Sequence, residues 1–263
     1  MATRTNTGLS SRSTRGRAQL RLRGVPVRPP KNGNGHGGRR AGAGRKPANG
    51  VKAGVSHLGR PQQSRHVPLH VTIRLVGGVR SMRRRRGYQV AQRAMALANR
   101  FEEARLCHLS IQRNHLHLIV EADDQRALTR AMKSFEISLS RNVNGELRRR
   151  GRVIADRYHL EKLRTPAQVR AAIAYVLGNW RKHGEDDLPG PPRLMDRYSS
   201  GPYFTGWDTG PPLPIMRFDA MPFPEDGPLP IRFPTSYLLR EGWKRHGLLS
   251  PWHRPGGRPR NRS

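Results

Sequence analysis

The order of strand and helix patterns between residues 69 and 163 limits the folds open to this chain more than any other feature of its sequence. Apolar residues alternate in some stretches and recur at helical spacing in others, in the order strand, helix, strand, strand, helix, strand. The patterns predict strands at 69–76, 104–112, 115–122 and 151–163, and helices at 87–101 and 126–151. This order is typical of the ferredoxin-like split βαβ topology, an α+β fold whose antiparallel sheet carries both helices on one face. The other face is then free to carry chemistry.

A third helix is predicted over residues 166–183, after the last strand. Thr165 is suited to cap its start, Pro166 to occupy its first turn, and Gly184 to end it. Its apolar residues Val169, Ile173, Val176, Leu177 and Trp180 gather on one stripe. We therefore expect an additional C-terminal helix that packs by this stripe.

Composition divides the chain into three parts. Residues 1–65 are rich in Gly, Pro and Arg without periodicity, which predicts a disordered basic arm. Residues 66–184 hold the periodic patterns and predict the single folded domain. Residues 185–263 contain 15 of the 22 prolines and predict a mostly irregular extension, with one short helix over 236–249.

The positive charge of the chain is strongly uneven. The formal net charge is +32, and 23 of the 50 Lys and Arg residues precede the first acidic residue, Glu102. An acid-free basic arm releases counterions from a phosphate backbone, so nucleic acid is the expected partner. A basic solubilising tail or an arm that binds a membrane surface is the alternative.

No apolar run reaches the roughly 18 residues that a membrane-spanning helix needs, and the first 30 residues lack the apolar core of a secretory signal. The single cysteine, Cys107, excludes an intrachain disulfide and a four-cysteine zinc site. We expect a cytoplasmic protein without membrane association. The Arg- and Ser-rich start also fits a mitochondrial transit peptide, although its composition continues beyond the usual transit length.

Two histidines alternate with leucines in HLHLIVEA, residues 115–122. Alternate side chains of a strand share a face, so His115 and His117 are expected on the face opposite the leucines. Two neutral imidazoles on a rigid sheet can bind a divalent cation and leave coordination sites for a phosphate oxygen. The pair also fits an exposed polar face that binds no metal.

Tyr175 lies away from the apolar stripe of the third helix, so core packing does not explain it. Asn179 follows one turn later, where its amide oxygen can complete a metal site with the histidines. A phenol beside such a metal can attack a phosphodiester and form a covalent phosphotyrosine. An ordinary surface tyrosine is the alternative, and Tyr158 is the rival nucleophile. Two charge runs predict phosphate contacts: Arg83, Arg84, Arg85, Arg86, Arg148, Arg149 and Arg150.

Four segments together resemble the REP-associated tyrosine transposases of bacteria, single-tyrosine transposases of the His-hydrophobic-His nuclease superfamily. They are HVTIRLVGGVRSMR (70–83), NHLHLIVEA (114–122), NVNGELRRRGRVIADRYH (142–159) and AYVLGNWRKHG (174–184), in the family's order and near its spacings. The resemblance covers about residues 66–184. It departs from the family at Trp180, where members often have proline, and at Ile154, where they have an aromatic residue.

The resemblance implies an enzyme that cuts single-stranded DNA next to a hairpin and rejoins it without ATP. It places Tyr175 as the nucleophile that forms a 5′-phosphotyrosine, and His115, His117 and Asn179 as ligands of Mg²⁺ or Mn²⁺. A bacterial, nucleoid-associated protein is implied. A homodimer, in which a partner chain supplies the tyrosine, stays open. The competing hypotheses are a catalytically inactive, domesticated nucleic-acid-binding protein and a ribosome-associated RNA binder.

Overall fold

The computed structural model describes residues 62–79, 81–185, 194–208 and 223–255. The predicted disordered arm over 1–65 therefore lies almost wholly outside the described residues. The regular elements are β1 (Leu69–Arg74), α1 (Arg85–Ala98), β2 (Ala104–Ile111), β3 (His115–Ala122), α2 (Gln125–Glu146), β4 (His159–Lys162), α3 (Pro166–Lys182) and the short α4 (Tyr237–Arg240).

The four strands form one antiparallel sheet in the order β2-β3-β1-β4. One face of the sheet is apolar, and α1 and α2 pack on it in a core that includes Val71, Leu118 and Phe135. Asp124 caps α2, because its Oδ1 accepts a hydrogen bond from the Ala127 N–H at 2.7 Å. The predicted α+β fold, with an antiparallel sheet and both helices on one face, is confirmed.

Two predicted elements are shorter in the structure than their sequence patterns. α2 ends at Glu146, because the backbone turns at Arg148, whose φ of 47° is incompatible with a continuing helix. The predicted strand over 151–163 is reduced to β4, with one isolated bridge between Ile154 and Leu75 upstream. The chain between α2 and β4 thus crosses the end of the sheet as irregular structure.

The sheet face that the sequence predicts to be open is partly covered. α3 lies on it, with Ile173 and Leu177 packed in one cluster with Ile119 of β3. Leu239 and Trp243 of the C-terminal extension complete this second apolar cluster. α3 is therefore buried from two sides, by the sheet and by residues 237–255.

The outer edge of β2 is also covered by the C-terminal extension. The Ile111 N–H donates to the Tyr198 carbonyl at 2.8 Å, and the Ser200 N–H donates to the Leu109 carbonyl at 2.8 Å. Farther along, the Arg232 N–H donates to the Leu106 carbonyl at 3.1 Å. Covering an edge strand satisfies its outward backbone groups and blocks pairing with another chain. Within the described ranges, no helix is both long and apolar enough to cross a membrane.

Candidate active site

The capping of α3 fixes where its polar side chains meet the sheet. Thr165 accepts a hydrogen bond from the Gln168 N–H and the Gln168 side chain accepts from the Thr165 backbone, a complete capping box. Pro166 is the first helical residue, and Gly184 follows the helix with a φ of 67°. The predicted stripe is buried as expected, at Val169, Ile173, Val176, Leu177 and Trp180.

Tyr175 is half-buried and points at the histidines of the sheet. Its ring stands edge-on to the ring of His117, with the centroids 5.1 Å apart, and edge-on to the ring of His70 at 5.8 Å. The Lys182 Nζ lies 5.1 Å from the centroid of the same ring. The phenol therefore belongs to the polar face of the sheet and not to the solvent side of the helix.

The two predicted histidines lie side by side, and α3 runs across both. The ring centroids of His115 and His117 are 4.8 Å apart. His183, at the end of α3, contacts His115 with a centroid distance of 5.7 Å, while Tyr175 contacts His117. Asn179 is one turn from Tyr175 and one turn from His183, so the three residues lie along the same side of α3.

Asn179 and His117 bury polar atoms that have no partner. Asn179 is completely buried, and neither its Oδ1 nor its Nδ2 has a hydrogen-bond partner among the described residues. The same holds for the Nε2 of His117, which is 4% exposed. Each such group costs about 1–3 kcal/mol of stability when it is left unpaired. A ligand bound here could satisfy these atoms of His117 and Asn179.

Hydrogen bonds orient both histidine rings. The Nδ1 of His117 lies 3.1 Å from Thr72 Oγ1 and 3.1 Å from His70 Nε2. The Nδ1 of His115 lies 2.9 Å from Asn114 Oδ1, which accepts its proton. The proton on Nδ1 of His115 leaves the lone pair on its Nε2, which is the nitrogen that a metal ion would bind. His117 presents its Nε2 in the same way in the tautomer whose Nδ1 donates to Thr72 or His70.

Both rings are neutral near neutral pH. Burial, and then the neighbouring charges of His183, Arg74 and Lys182, lower the pKa of His115 to about 4. Burial lowers the pKa of His117 to about 2, with smaller contributions from nearby histidines and Lys182. A metal-binding imidazole must be neutral. The same basic neighbours create a positive environment that favours a phosphate group.

The donor set fits a divalent cation. The described His, Cys, Asp and Glu side chains form no group of three arranged for a metal ion. The third protein ligand would then be the amide of Asn179, whose buried oxygen lacks a partner among those residues. First-row divalent ions such as Mn²⁺ accept imidazole nitrogen together with amide oxygen, whereas Mg²⁺ prefers oxygen alone. Of the two predicted ions, Mn²⁺ fits these ligands better.

Arg83 has a structural position that differs from its predicted contact with phosphate. Its guanidinium donates to both carboxylate oxygens of Asp196, at 2.8 and 3.0 Å, and lies 3.5 Å from Glu185. The Arg83 side chain is buried, and its ion pair with Asp196 joins the loop before α1 to the C-terminal extension. Arg85 is also engaged, in a two-bond pair with Asp226. Arg84, Arg86, Arg148 and Arg150 are exposed, and Arg149 is half-buried.

Tyr158, the rival nucleophile, is buried in the helix-covered core on the opposite face of the sheet.

The sequence patterns do not single out four residues that lie around the histidine pair and Tyr175. They are His70, Thr72, His183 and Lys182. In the stretch HVTI, His70 and Thr72 alternate with apolar residues. The same alternation predicts the face of β3 on which the histidine pair lies, so this signal could have found His70 and Thr72. Their nearness to His117 follows from the strand register, in which Thr72 pairs with His117.

No protein-family model matches this chain, and no curated protein matches it. A solved structure of a REP-associated tyrosine transposase bound to a REP hairpin is similar to this chain. The similarity covers 55% of this chain and 82% of that chain, at 17% sequence identity and a TM-score of 0.40.

Proposed function

We propose that this protein cuts and rejoins single-stranded DNA beside a hairpin, with the Tyr175 phenol as the nucleophile. The observation that carries the proposal is the contact of Tyr175 with His117 at 5.1 Å, at a place where His117 and Asn179 bury unpaired polar atoms. All of these groups come from one chain, which supports a site that is assembled within one chain. The formal charge of +32 supports a nucleic acid as the substrate.

The proposed reaction exchanges one phosphoester for another. The Tyr175 oxygen attacks the phosphorus, the bond from phosphorus to the 3′ oxygen breaks, and a 5′-phosphotyrosine forms. The phenol proton is lost to the surroundings, and the leaving oxygen takes up a proton to become a free 3′-hydroxyl. Attack of a 3′-hydroxyl on the phosphotyrosine reverses these changes, so strands can be rejoined without ATP.

The side chains around Tyr175 have separate roles in this proposal. Lys182, 5.1 Å from the phenol ring, stabilises the developing phenolate, and the basic neighbours of His115 attract the phosphate. Thr72 and His70 hold the ring of His117 in position. His115, His117 and Asn179 would hold Mn²⁺ or Mg²⁺, which when bound polarises a phosphate oxygen.

Covalent trapping tests the nucleophile. The full chain is incubated with Mn²⁺ and a labelled DNA hairpin that carries single-stranded flanks, and adducts are separated on a denaturing gel. We expect a protein–DNA adduct that peptide mass spectrometry maps to Tyr175 and that is reduced to background in Tyr175→Phe. Tyr237→Phe, at an exposed tyrosine of α4, is the matched control and should retain the adduct. An adduct that survives Tyr175→Phe, or maps to Tyr158, overturns the assignment.

The acid-free arm before Glu102 favours a second candidate, a catalytically inactive nucleic-acid-binding protein. Such a protein binds structured DNA with a steep dependence on salt and forms no adduct with any divalent metal. Binding would then be unchanged in Tyr175→Phe. The same trapping experiment separates the two functions, because only the enzyme gives a denaturant-resistant adduct.

A further inference from the structure

A cleft of about 440 Å³ lies between the start of α1 and the end of α2, away from the histidine site. Its floor is apolar and includes the buried side chains of Met82 and Val143. Arginines from both predicted charge runs stand around it, namely Arg84, Arg86, Arg148 and Arg149. The fold thus brings together two basic segments that are more than 60 residues apart in the sequence.

The rim of the cleft is positively charged on the side of α1 as well. Arg84 is the N-cap of α1 and makes no capping hydrogen bond with its side chain, and the first turn contains no acidic residue. The partial positive charge of the helix start therefore adds to that of the exposed arginines Arg84 and Arg86. Such a rim suits a phosphate group.

Arg148 has a backbone conformation that arginine rarely adopts. Its φ is 47°, and among the described residues it is the one with a positive φ that is not glycine. Glycine or asparagine is the usual residue at such a position after a helix. An exposed arginine at this place is therefore poorly explained by folding, and it extends the basic rim toward the cleft.

Glu146 is the acidic residue in the lining of the cleft. Its carboxylate lies 3.8 Å from Arg86 and 4.0 Å from Arg93, and these ion pairs are longer than hydrogen bonds. A carboxylate at the edge of an apolar floor can accept a hydrogen bond from the amino group of a base, as acidic side chains do with cytosine N4. It repels the carbonyl oxygens on the pairing edge of thymine.

We propose that this cleft binds one unpaired nucleotide of the DNA, with arginines on its phosphate, the apolar floor against its base, and Glu146 on the amino group of the base. This inference rests on the DNA binding in the proposed function, but not on the chemistry of Tyr175. The volume is that of a pocket for a small ligand and is too small for a duplex. The Met82 N–H donates to the Arg113 carbonyl at 3.0 Å, two residues before His115, so one strand can reach both places.

Binding of short single strands tests this site in the full chain. Oligo-dC and oligo-dT of 12 nucleotides are compared by fluorescence anisotropy at several salt concentrations. We expect oligo-dC to bind roughly five- to tenfold more tightly than oligo-dT, and Glu146→Gln to remove most of this preference, since a neutral amide also matches thymine. If Glu146→Gln binds oligo-dC and oligo-dT more tightly by the same factor, so that the preference is unchanged, base recognition by Glu146 is contradicted.

A second pair of variants separates phosphate contact from general charge. The double variant Arg84→Gln, Arg148→Asn should lower the salt slope of binding by about 0.7, because the contact with the one phosphate of the bound nucleotide is lost. Asparagine tolerates the positive φ at 148, so the fold is retained. The control is Arg126→Gln, Arg141→Gln, two exposed arginines of α2 outside the cleft lining. Equal losses in both double variants would overturn the site.

The outcomes distinguish this inference from the proposed function. A chain that forms no adduct yet prefers oligo-dC through Glu146 retains the nucleotide site and loses the enzymatic assignment. A chain that forms the Tyr175 adduct without any preference retains the enzyme and loses the site. A polyglutamate peptide of matched charge could also displace labelled oligo-dC as well as unlabelled oligo-dC does. That result would assign the cleft to an acidic protein partner and overturn the nucleotide proposal.

Discussion

One strand carries two buried polar groups on the same face, and their surroundings are opposite. On β3, the Glu121 carboxylate is 2% exposed and accepts four hydrogen bonds, from the backbone N–H and hydroxyl of both Thr235 and Ser236, at 2.7 to 3.0 Å. Four residues earlier, His117 is buried to a similar degree, yet its Nε2 has no partner in the described part of the chain.

The difference separates polar groups that hold the fold together from groups that await a ligand. A fully bonded carboxylate such as Glu121 anchors the C-terminal extension to the sheet, because both residues that it binds begin the segment that covers α3. An unpaired imidazole and amide lower stability and persist where another role requires them. The comparison therefore predicts opposite stability effects for substitution of the bonded Glu121 carboxylate and of the unpaired Asn179 amide.

The largest expected effect is the loss of the Glu121 anchor. Glu121→Ala leaves four donors without an acceptor, two of them backbone N–H groups, and should lower the free energy of unfolding by about 3–5 kcal/mol. Urea denaturation followed by circular dichroism measures this change. Glu241→Ala is the control, because this half-exposed carboxylate pairs with Lys244 on the surface, and its loss should cost under about 1 kcal/mol. Equal losses in the two variants would contradict the anchor.

A smaller effect is expected from His108, which tests whether the extension seals this face of the sheet. Burial under the extension lowers the pKa of His108 to about 4. The unfolded chain takes up this proton near pH 6.5, so stability is complete above that pH and falls as pH decreases toward 4. The loss is about 3 kcal/mol over this range.

His108→Asn should make the pH profile less steep by about 3 kcal/mol between pH 7 and pH 4, measured by urea denaturation. The slope that remains comes from the other buried histidines whose pKa is lowered, such as His115 and His117. Asparagine carries no titrating group and can still bond to the Ser200 hydroxyl, which lies 3.3 Å from His108 Nδ1. His246→Asn, at an exposed histidine, is the control and should leave the profile unchanged. A profile that is equally steep in His108→Asn would show that this histidine is accessible to water in the fold.

Local patterns in the sequence predict the framework well because strands and helices bury their faces periodically. The alternation in β3 and the stripe of α3 depend on neighbouring residues only, and both are found in the structure. Leu116 and Leu118 of β3 pack in the core under α1 and α2, whereas Ile119 packs with α3 on the other face. The cover over α3 could not be predicted, since it comes from Leu239 and Trp243, far along the chain and without a long periodic pattern. Asn179 lies off the apolar stripe that the sequence predicts for α3, and the structure buries it completely.

Local patterns predict some residues of the candidate site and miss others. Helical spacing and strand alternation single out Tyr175 and His117, and the structure places their rings in contact. His70 reaches His117 through the pairing register of two strands, which no local pattern encodes. A run of arginines does not indicate which groups its members bind. The sequence therefore predicts a phosphate contact for Arg83, whereas in the structure Arg83 binds the carboxylate of Asp196, 113 residues away.

Mn²⁺ should bind the unpaired Nε2 of His117 and leave the hydrogen bonds of Glu121 unchanged. A cation that binds only the folded chain stabilises it by about 2.7 kcal/mol at 100 times its Kd, which corresponds to roughly 5–10 °C in Tm. Differential scanning fluorimetry with and without Mn²⁺ measures this shift. It should disappear in His117→Ala and persist in His246→Ala, which removes an exposed histidine. A shift of equal size in His117→Ala would assign the effect to another site.

The smallest effect compares an unpaired amide with a hydrogen-bonded one. Asn179→Leu replaces an amide that has no partner within the described ranges by an apolar side chain of similar size, and should raise the free energy of unfolding by about 1 kcal/mol. The matched control is Asn99→Leu, because the Asn99 amide accepts from the Leu106 N–H at 2.7 Å and donates to the Pro230 carbonyl at 2.7 Å. That change should lower the free energy of unfolding by about 2–3 kcal/mol. Stabilisation by Asn179→Leu together with loss of the Mn²⁺ shift would identify Asn179 as a residue kept for ligand binding at a cost in stability. Destabilisation at both positions would instead place a structural partner on the Asn179 amide.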